Sequence, residues 1–127
     1  MRAYKRLIFI VLMVGLFGLC ACSKKIDLSR LAGRFEASHE NGFETIELRQ
    51  DGSYTHYFRA SAGANTIYSN SWKAEPFEGE PKVALRGFTP HFPDAQGGDN
   101  ALLDVEKDWG YIRLYRSFDL DQYYQKK

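Results

Sequence analysis

Asp51-Gly52 sits between two runs that alternate apolar and polar residues, Phe43 to Gln50 and Ser53 to Ser61. This is the strongest short-range signal of a β-hairpin, because such a pair readily supplies the positive φ that a tight reversal demands. Loop length then decides which side chains share a face. A two-residue loop pairs Arg49 with Tyr54 and Thr45 with Phe58, stranding both aromatics opposite Ile46 and Leu48. A three-residue loop, Gln50-Asp51-Gly52 with Gly52 left-handed as a bulge, pairs Leu48 with Tyr54 and Ile46 with His56 and brings Phe58 to the same face. Thr45, Glu47, Arg49, Thr55 and Tyr57 then share the other face. A one-residue slip turns every side chain of a strand over, so burial selects the second register. Gly52 is accordingly expected to be the residue whose β-branched replacement hurts most.

The same alternation recurs along the chain. A first strand reads from Arg34 to Ser38, ended by Glu40-Asn41-Gly42. Thr66 to Ala74 turns Tyr68, Trp72 and Ala74 inward, and Pro76 to Pro81 reverses the chain. Lys82 to Phe88 points Val83 and Leu85 inward, and Ala101 to Lys107 does the same with Leu103 and Val105. After the turn Asp108-Trp109-Gly110, Tyr111 to Phe118 offers Ile112 and Leu114, and Leu120 with Tyr124 closes a last short strand. Seven or eight short strands joined by mostly tight turns predict an all-β, antiparallel up-and-down meander. Closure into a small barrel removes exposed strand edges. Lys24 to Leu31 reads as a linker with one loose helical turn, in which Ile26, Leu28 and Leu31 cover one end of the barrel.

The chain begins with Arg2, Lys5 and Arg6, no acid among them, followed by an apolar run from Leu7 to Leu19 punctuated by Gly15 and Gly18. That is the charged-then-apolar order of a secretory signal helix. A spanning helix needs about 20 apolar residues, and this run stops short at Ser23-Lys24-Lys25. Leu19-Cys20-Ala21-Cys22 resembles the lipobox of bacterial lipoproteins, with Leu third before the Cys, a small residue just before it and Ser after. Cleavage before Cys20 instead puts Leu19 at the cut and bulky Phe17 third before the Cys, a poorer fit. The resemblance implies cleavage between Ala21 and Cys22, acylation of Cys22 and a permanent membrane tether. Ser23 in place of Asp after the Cys implies, by the same resemblance, the outer membrane and a domain facing the periplasm. With Cys20 lost and Cys22 lipidated, no disulfide is available.

The expected organisation is a signal peptide at 1–21, a linker at 22–31 and a β-barrel-like domain at 32–127. Of 127 residues, 106 remain after the cut, enough for one domain. The leader takes three of 17 basic and none of 16 acidic residues, leaving a net side-chain charge of −2. That balance gives nucleic acid no basic stripe to follow. Gly33-Arg34-Phe35, Ile46-x-Leu48-x-x-Asp51-Gly52-x-Tyr54, the strand with Trp72 and Gly110-Tyr111-Ile112-x-Leu114 together look like small lipocalin-like lipoprotein domains. The resemblance implies a small up-and-down barrel. The short chain and missing disulfide depart from true lipocalins and speak against a roomy ligand cavity.

Residues suited to chemistry are sparse. His39, His56 and His91 show no close metal-ligand spacing, so no metal is expected. His56, facing the core beside Ile46 and Tyr54, needs a hydrogen-bond partner or else loses its charge by desolvation. There is no Gly-x-Ser-x-Gly elbow. The carboxylate pairs Asp104/Glu106 and Asp119/Asp121 read as solvated faces, and Gly97-Gly98 has no strand-to-helix context. No catalytic residue and no cofactor are expected. The long loop Thr89 to Asn100 is the exception to an economical chain, and loops of this length often serve function. Its His91 and Phe92 either meet a partner or, in the case of Phe92, plug the barrel mouth. Tyr111, Arg113 and Tyr115, with Tyr123 nearby, form a second candidate binding surface, since Tyr and Arg are enriched where proteins touch. The expected role is a non-enzymatic, membrane-tethered module that binds an envelope protein or a small apolar ligand. Rival roles are a periplasmic inhibitor or immunity-type lipoprotein and a structural envelope component.

Overall fold

The computed structural model describes residues 28–93 and 100–127. The leader, Cys20, Cys22, Ile26 and Gly97-Gly98 lie outside the described residues. One helical turn, α1 (Leu28–Leu31), precedes eight strands: β1 (Gly33–His39), β2 (Gly42–Leu48), β3 (Ser53–Ala60), β4 (Asn65–Ala74), β5 (Lys82–Arg86), β6 (Asn100–Asp108), β7 (Tyr111–Ser117) and β8 (Gln122–Lys126). Each pairs antiparallel with the next, and β8 returns to β1 to close a barrel. The all-β meander expected from the alternation is the architecture found. The seam between β1 and β8 is thin, with only Phe35↔Lys126 and Glu36↔Gln125 in register and one further bond from Lys127 N to Arg34 O at 2.9 Å.

The β2–β3 hairpin adopts the three-residue register, with Leu48 opposite Tyr54, Ile46 opposite His56 and Glu44 opposite Phe58. Arg49 N donates to Ser53 O at 2.9 Å and Gly52 N to Arg49 O at 3.1 Å, while Gly52 takes φ +87°. The next strand then locks the turn from the side. Trp72 N donates to Gly52 O at 2.8 Å, and its indole N–H donates to Arg49 O at 2.8 Å.

Eight strands enclose an interior just wide enough for side chains to fill. Phe35, Ile46, Leu48, Tyr54, Val83, Leu85, Phe88, Leu103, Leu114 and Tyr124 occupy it, all essentially inaccessible to water. Each such side chain contributes about 1.5–3 kcal/mol on burial. The polar tip of Tyr54 is satisfied by donating to Arg86 O at 2.6 Å. Leu31 closes the end at which the chain enters.

Two sequence expectations are corrected. Tyr68 was expected inward, yet it is 41% exposed. β4 outruns its neighbour: β5 pairs only with Trp72, Lys73 and Ala74, so the first half of β4 stands clear of the rim. Leu120 lies exposed in the turn before β8, and Tyr124 alone of that pair is buried. Thr45 and Thr55 sit on the outer face as expected, but both are buried, Thr55 held by Arg49 Nη2 at 2.9 Å and Ser69 Oγ at 3.1 Å.

Glycine sensitivity also differs from the sequence reading. A Cβ on Gly42, at φ +147°, falls 2.1 Å from Arg59 O, whereas one on Gly52 meets nothing nearer than Trp72 O at 3.7 Å. Gly42 therefore bears a backbone collision and Gly52 only conformational strain. Gly52→Ala is expected to cost about 1–2 kcal/mol and Gly42→Ala more, measured by urea unfolding; equal losses would refute this ordering.

Candidate functional site

Inward-facing positions of β2 read Glu44, Ile46, Leu48, so the register that buries two aliphatics also buries a carboxylate. Glu44 is wholly inaccessible. An ionised carboxylate out of water is stable only when donors surround it, and here they come from four segments. His39 Nε2 of β1 lies 2.6 Å from Oε2. Oε1 receives His56 Nε2 of β3 at 2.8 Å, the Tyr124 hydroxyl of β8 at 3.1 Å and the backbone N–H of His91 at 3.2 Å.

A carboxylate oxygen offers no proton, so both imidazole Nε2 atoms carry one. His39 Nδ1 accepts the Asn41 N–H at 3.3 Å, which makes its neutral tautomer sufficient. Burial alone raises the Glu44 carboxyl, but the hydrogen bonds from His56 and His39, the charge of His56 and the His91 N–H outweigh it and hold the group below its ordinary value. Burial pushes the Tyr124 phenol well up, reinforced by the Glu44 charge. His91 is held below its ordinary value, mainly by burial, against the pull of Glu44.

The three histidines, scattered in the sequence, thus converge on one carboxylate at one end of the barrel. Among the described residues no group of His, Cys, Asp and Glu is arranged to hold a metal ion. The loop after β5 closes the mouth over them. Phe92 is 7% exposed and packs 4.5 Å from the His39 ring and 5.2 Å from Tyr124. Of the two readings for Phe92, the mouth plug is what the fold shows, and the exposed contact is not. His91 is half-buried and stacks on Phe58 at 3.8 Å with the rings nearly parallel. Side-chain amides pin the loop: Asn41 Nδ2 donates to His91 O at 2.9 Å and Gln122 Nε2 to Pro93 O at 3.0 Å. With Glu44 and Tyr124 at 0% exposure, the cluster acts as a latch that ties the loop across the mouth.

The outer row is also more built than a loose patch. Arg113 lies between the rings of Tyr111 and Tyr123, its Cζ 4.2 Å from each centroid, and Nη1 donates to Tyr115 OH at 3.2 Å. Tyr115 points outward but is buried, covered by Phe118 at 4.3 Å and Tyr123 at 5.1 Å. The Tyr111 hydroxyl donates to Glu106 at 3.1 Å and Asp108 at 3.2 Å. Its pKa is pushed up to about 12 by desolvation and these carboxylates. Cys22 lies outside the described residues. Outer-wall hollows include one of about 440 Å³ bordered by Arg34, Phe43, Tyr57, Arg59 and Ile67.

Glu44 was not singled out in the sequence. The signal was present in the hairpin register, which puts Glu44 on the inward face two residues from Ile46 and across from Phe58.

The latch has a pH signature. A group with a depressed folded pKa contributes stability above its unfolded value and loses it as pH falls through the folded one. His91 therefore starts to weaken the fold below its ordinary 6.5, and Glu44 continues below its ordinary 4.5. Unfolding free energy measured against pH is expected to decline in those two stages, the lower one shrinking in Glu44→Gln to the part left by Asp51, whose carboxyl is also held low by hydrogen bonds from Ser53. Glu44→Ala, which strands two buried imidazoles, is expected to cost about 3–5 kcal/mol; a neutral result in denaturant melts would contradict the latch.

Comparison with protein-family models, with curated proteins and with solved structures returns no match for this chain.

Proposed function

We propose that this chain is a lipid-anchored protein of the bacterial cell envelope, tethered through Cys22 to the outer membrane on its periplasmic side, that binds a protein partner through the outside of its barrel without catalysing a reaction. The observation that carries the choice of a protein over a small apolar ligand is the filled and latched interior: side chains occupy the axis, and Phe92 with the Glu44 cluster seals the mouth. Recognition then falls to the outer wall. There, Tyr111, Arg113 and Tyr123 are already stacked, so a partner meets them without ordering them first, which lowers the entropic cost of binding.

The tether fits the direction of the strands. The chain enters at the end closed by Leu31, and the β6–β7 turn brings Trp109, 97% exposed, to that same end. An indole suits the interface between a bilayer and water. A lipid on Cys22 would hold this end toward the membrane and leave the latched mouth facing away.

Two measurements test this reading. Mass spectrometry of the protein from its native host is expected to find an acylated N-terminal Cys22, whereas a chain beginning at Met1 defeats the anchor. Affinity capture from crosslinked host envelopes is expected to enrich one protein with the wild type and markedly less with Arg113→Ala. A retained apolar small molecule and no enriched protein would instead favour the ligand carrier.

A further inference from the structure

The first half of β4 has one paired edge and one open edge. Its partners across β3 run from Asn65 opposite Arg59 to Ser71 opposite Ser53. The ladder bond from Trp72 N to Gly52 O fixes which residues point where. In antiparallel pairing the bonds alternate, so Tyr68, Thr66 and Asn70 bond to β3, while the N–H and C=O of Asn65, Ile67 and Ser69 point the other way. On that other side β5 reaches no further than Trp72, and the chain then turns away at Gly87 with φ +62°. Among the described residues no strand pairs with this edge, and Asn65 to Ser69 are all exposed.

Proteins commonly guard open edges with charge, proline or a bulge. Asn65-Thr66-Ile67-Tyr68-Ser69-Asn70-Ser71 contains no charged residue, no proline and no glycine. It carries Ile67, 67% exposed, beside Tyr57 at 40%. Ser71 N is capped by the Asn70 side chain at 2.8 Å, which leaves Asn65, Ile67 and Ser69 as the free part of the edge.

We propose that this edge pairs with the same edge of a second copy of the chain, antiparallel and two-fold symmetric about Ile67. In that register Ile67 faces Ile67 of the other copy and Asn65 faces Ser69, each exchanging backbone bonds, while Thr66 lies across from Tyr68. The occupant is a second copy because the strand is uncharged and matches itself: a two-fold pairing opposes no like charges and joins β-branched and aromatic residues, the pairs that favour antiparallel sheets. A two-fold contact uses the same edge of both copies, Ile67 against Ile67, so one such contact consumes it. Association stops at two and does not propagate into a fibre.

Ile67→Lys sets two ammonium groups against each other at the axis. Ser69→Pro removes an N–H that points to the open side and not to β3, so the hairpin itself keeps its ladder. Sedimentation of the full chain in detergent micelles, over a range of protein concentration, is expected to show a monomer–dimer equilibrium for the wild type. Both variants are expected to weaken it by about tenfold or more. Amide exchange is expected to show concentration-dependent protection at Ile67 and Ser69 and not at Tyr68. Melting curves check that each variant folds; if Ser69→Pro does not, Ile67→Lys decides. A wild type that stays monomeric, or a dimer that survives Ile67→Lys with Ile67 and Ser69 still exchanging freely, overturns the proposal.

Discussion

A carboxylate sealed from water keeps its charge only where the fold brings donors to it, and Glu44 depends for them on segments that are distant in the sequence. His39 comes from β1, His56 from β3, Tyr124 from β8, and His91 from the loop that covers the mouth. Each of those segments is held in place by its own pairing or packing, so the charge can be accommodated only after the barrel has closed. The arrangement works in both directions. Hydrophobic burial builds the barrel, and the barrel makes the buried charge tolerable; the charge then fixes which loop conformation seals the end. Replacing such a network by apolar side chains is often harmless to stability. What the network adds is a fixed seat for the loop, the His91 N–H on Glu44 and the Phe92 ring against His39 and Tyr124.

The filled interior shapes how the molecule can work. Barrels of eight strands stand at the boundary between holding a ligand and holding only their own side chains, and the aromatic content decides which side this one falls on. Tyr54, Phe88, Phe92 and Tyr124 sit edge-on to one another around the axis and the mouth. Small side chains at those positions would leave a cavity. What remains available to other molecules is the outer wall, and the outer wall is uneven: stacked Tyr and Arg side chains on β7 and β8, a hollow near Arg59 and Ile67, and a free strand edge.

The β2–β3 hairpin was legible because two independent cues agreed, turn chemistry at Asp51-Gly52 and the burial of Tyr54, His56 and Phe58 on one face. The same logic located the other strands, since alternation survives wherever one face is wet. It did not reveal the overhang of β4, because Thr66, Tyr68 and Trp72 continue the pattern through the rim and only the short reach of β5 leaves the first half uncovered. Nor did it reveal the Glu44 cluster. A glutamate on an inward row looks like an error in the pattern until three histidines from elsewhere arrive, and the separations between Glu44 and His91 or Tyr124 are invisible to any local reading. Gly42 was passed over for a related reason: its constraint is the approach of Arg59 from the neighbouring strand and not the turn it borders.

The thin seam between β1 and β8 sets the order in which this molecule comes together and apart. Every other strand pair joins chain neighbours, which form quickly because little loop entropy is lost, while the first and last strands must find each other across the whole domain. With two residue pairs in register and one bond beyond them, that junction has the least to hold it. The sheet is thus a ribbon that curls and is fastened last at its narrowest point. The closed sheet opens most cheaply there, β8 parting from β1 while its hairpin with β7 and the others still hold.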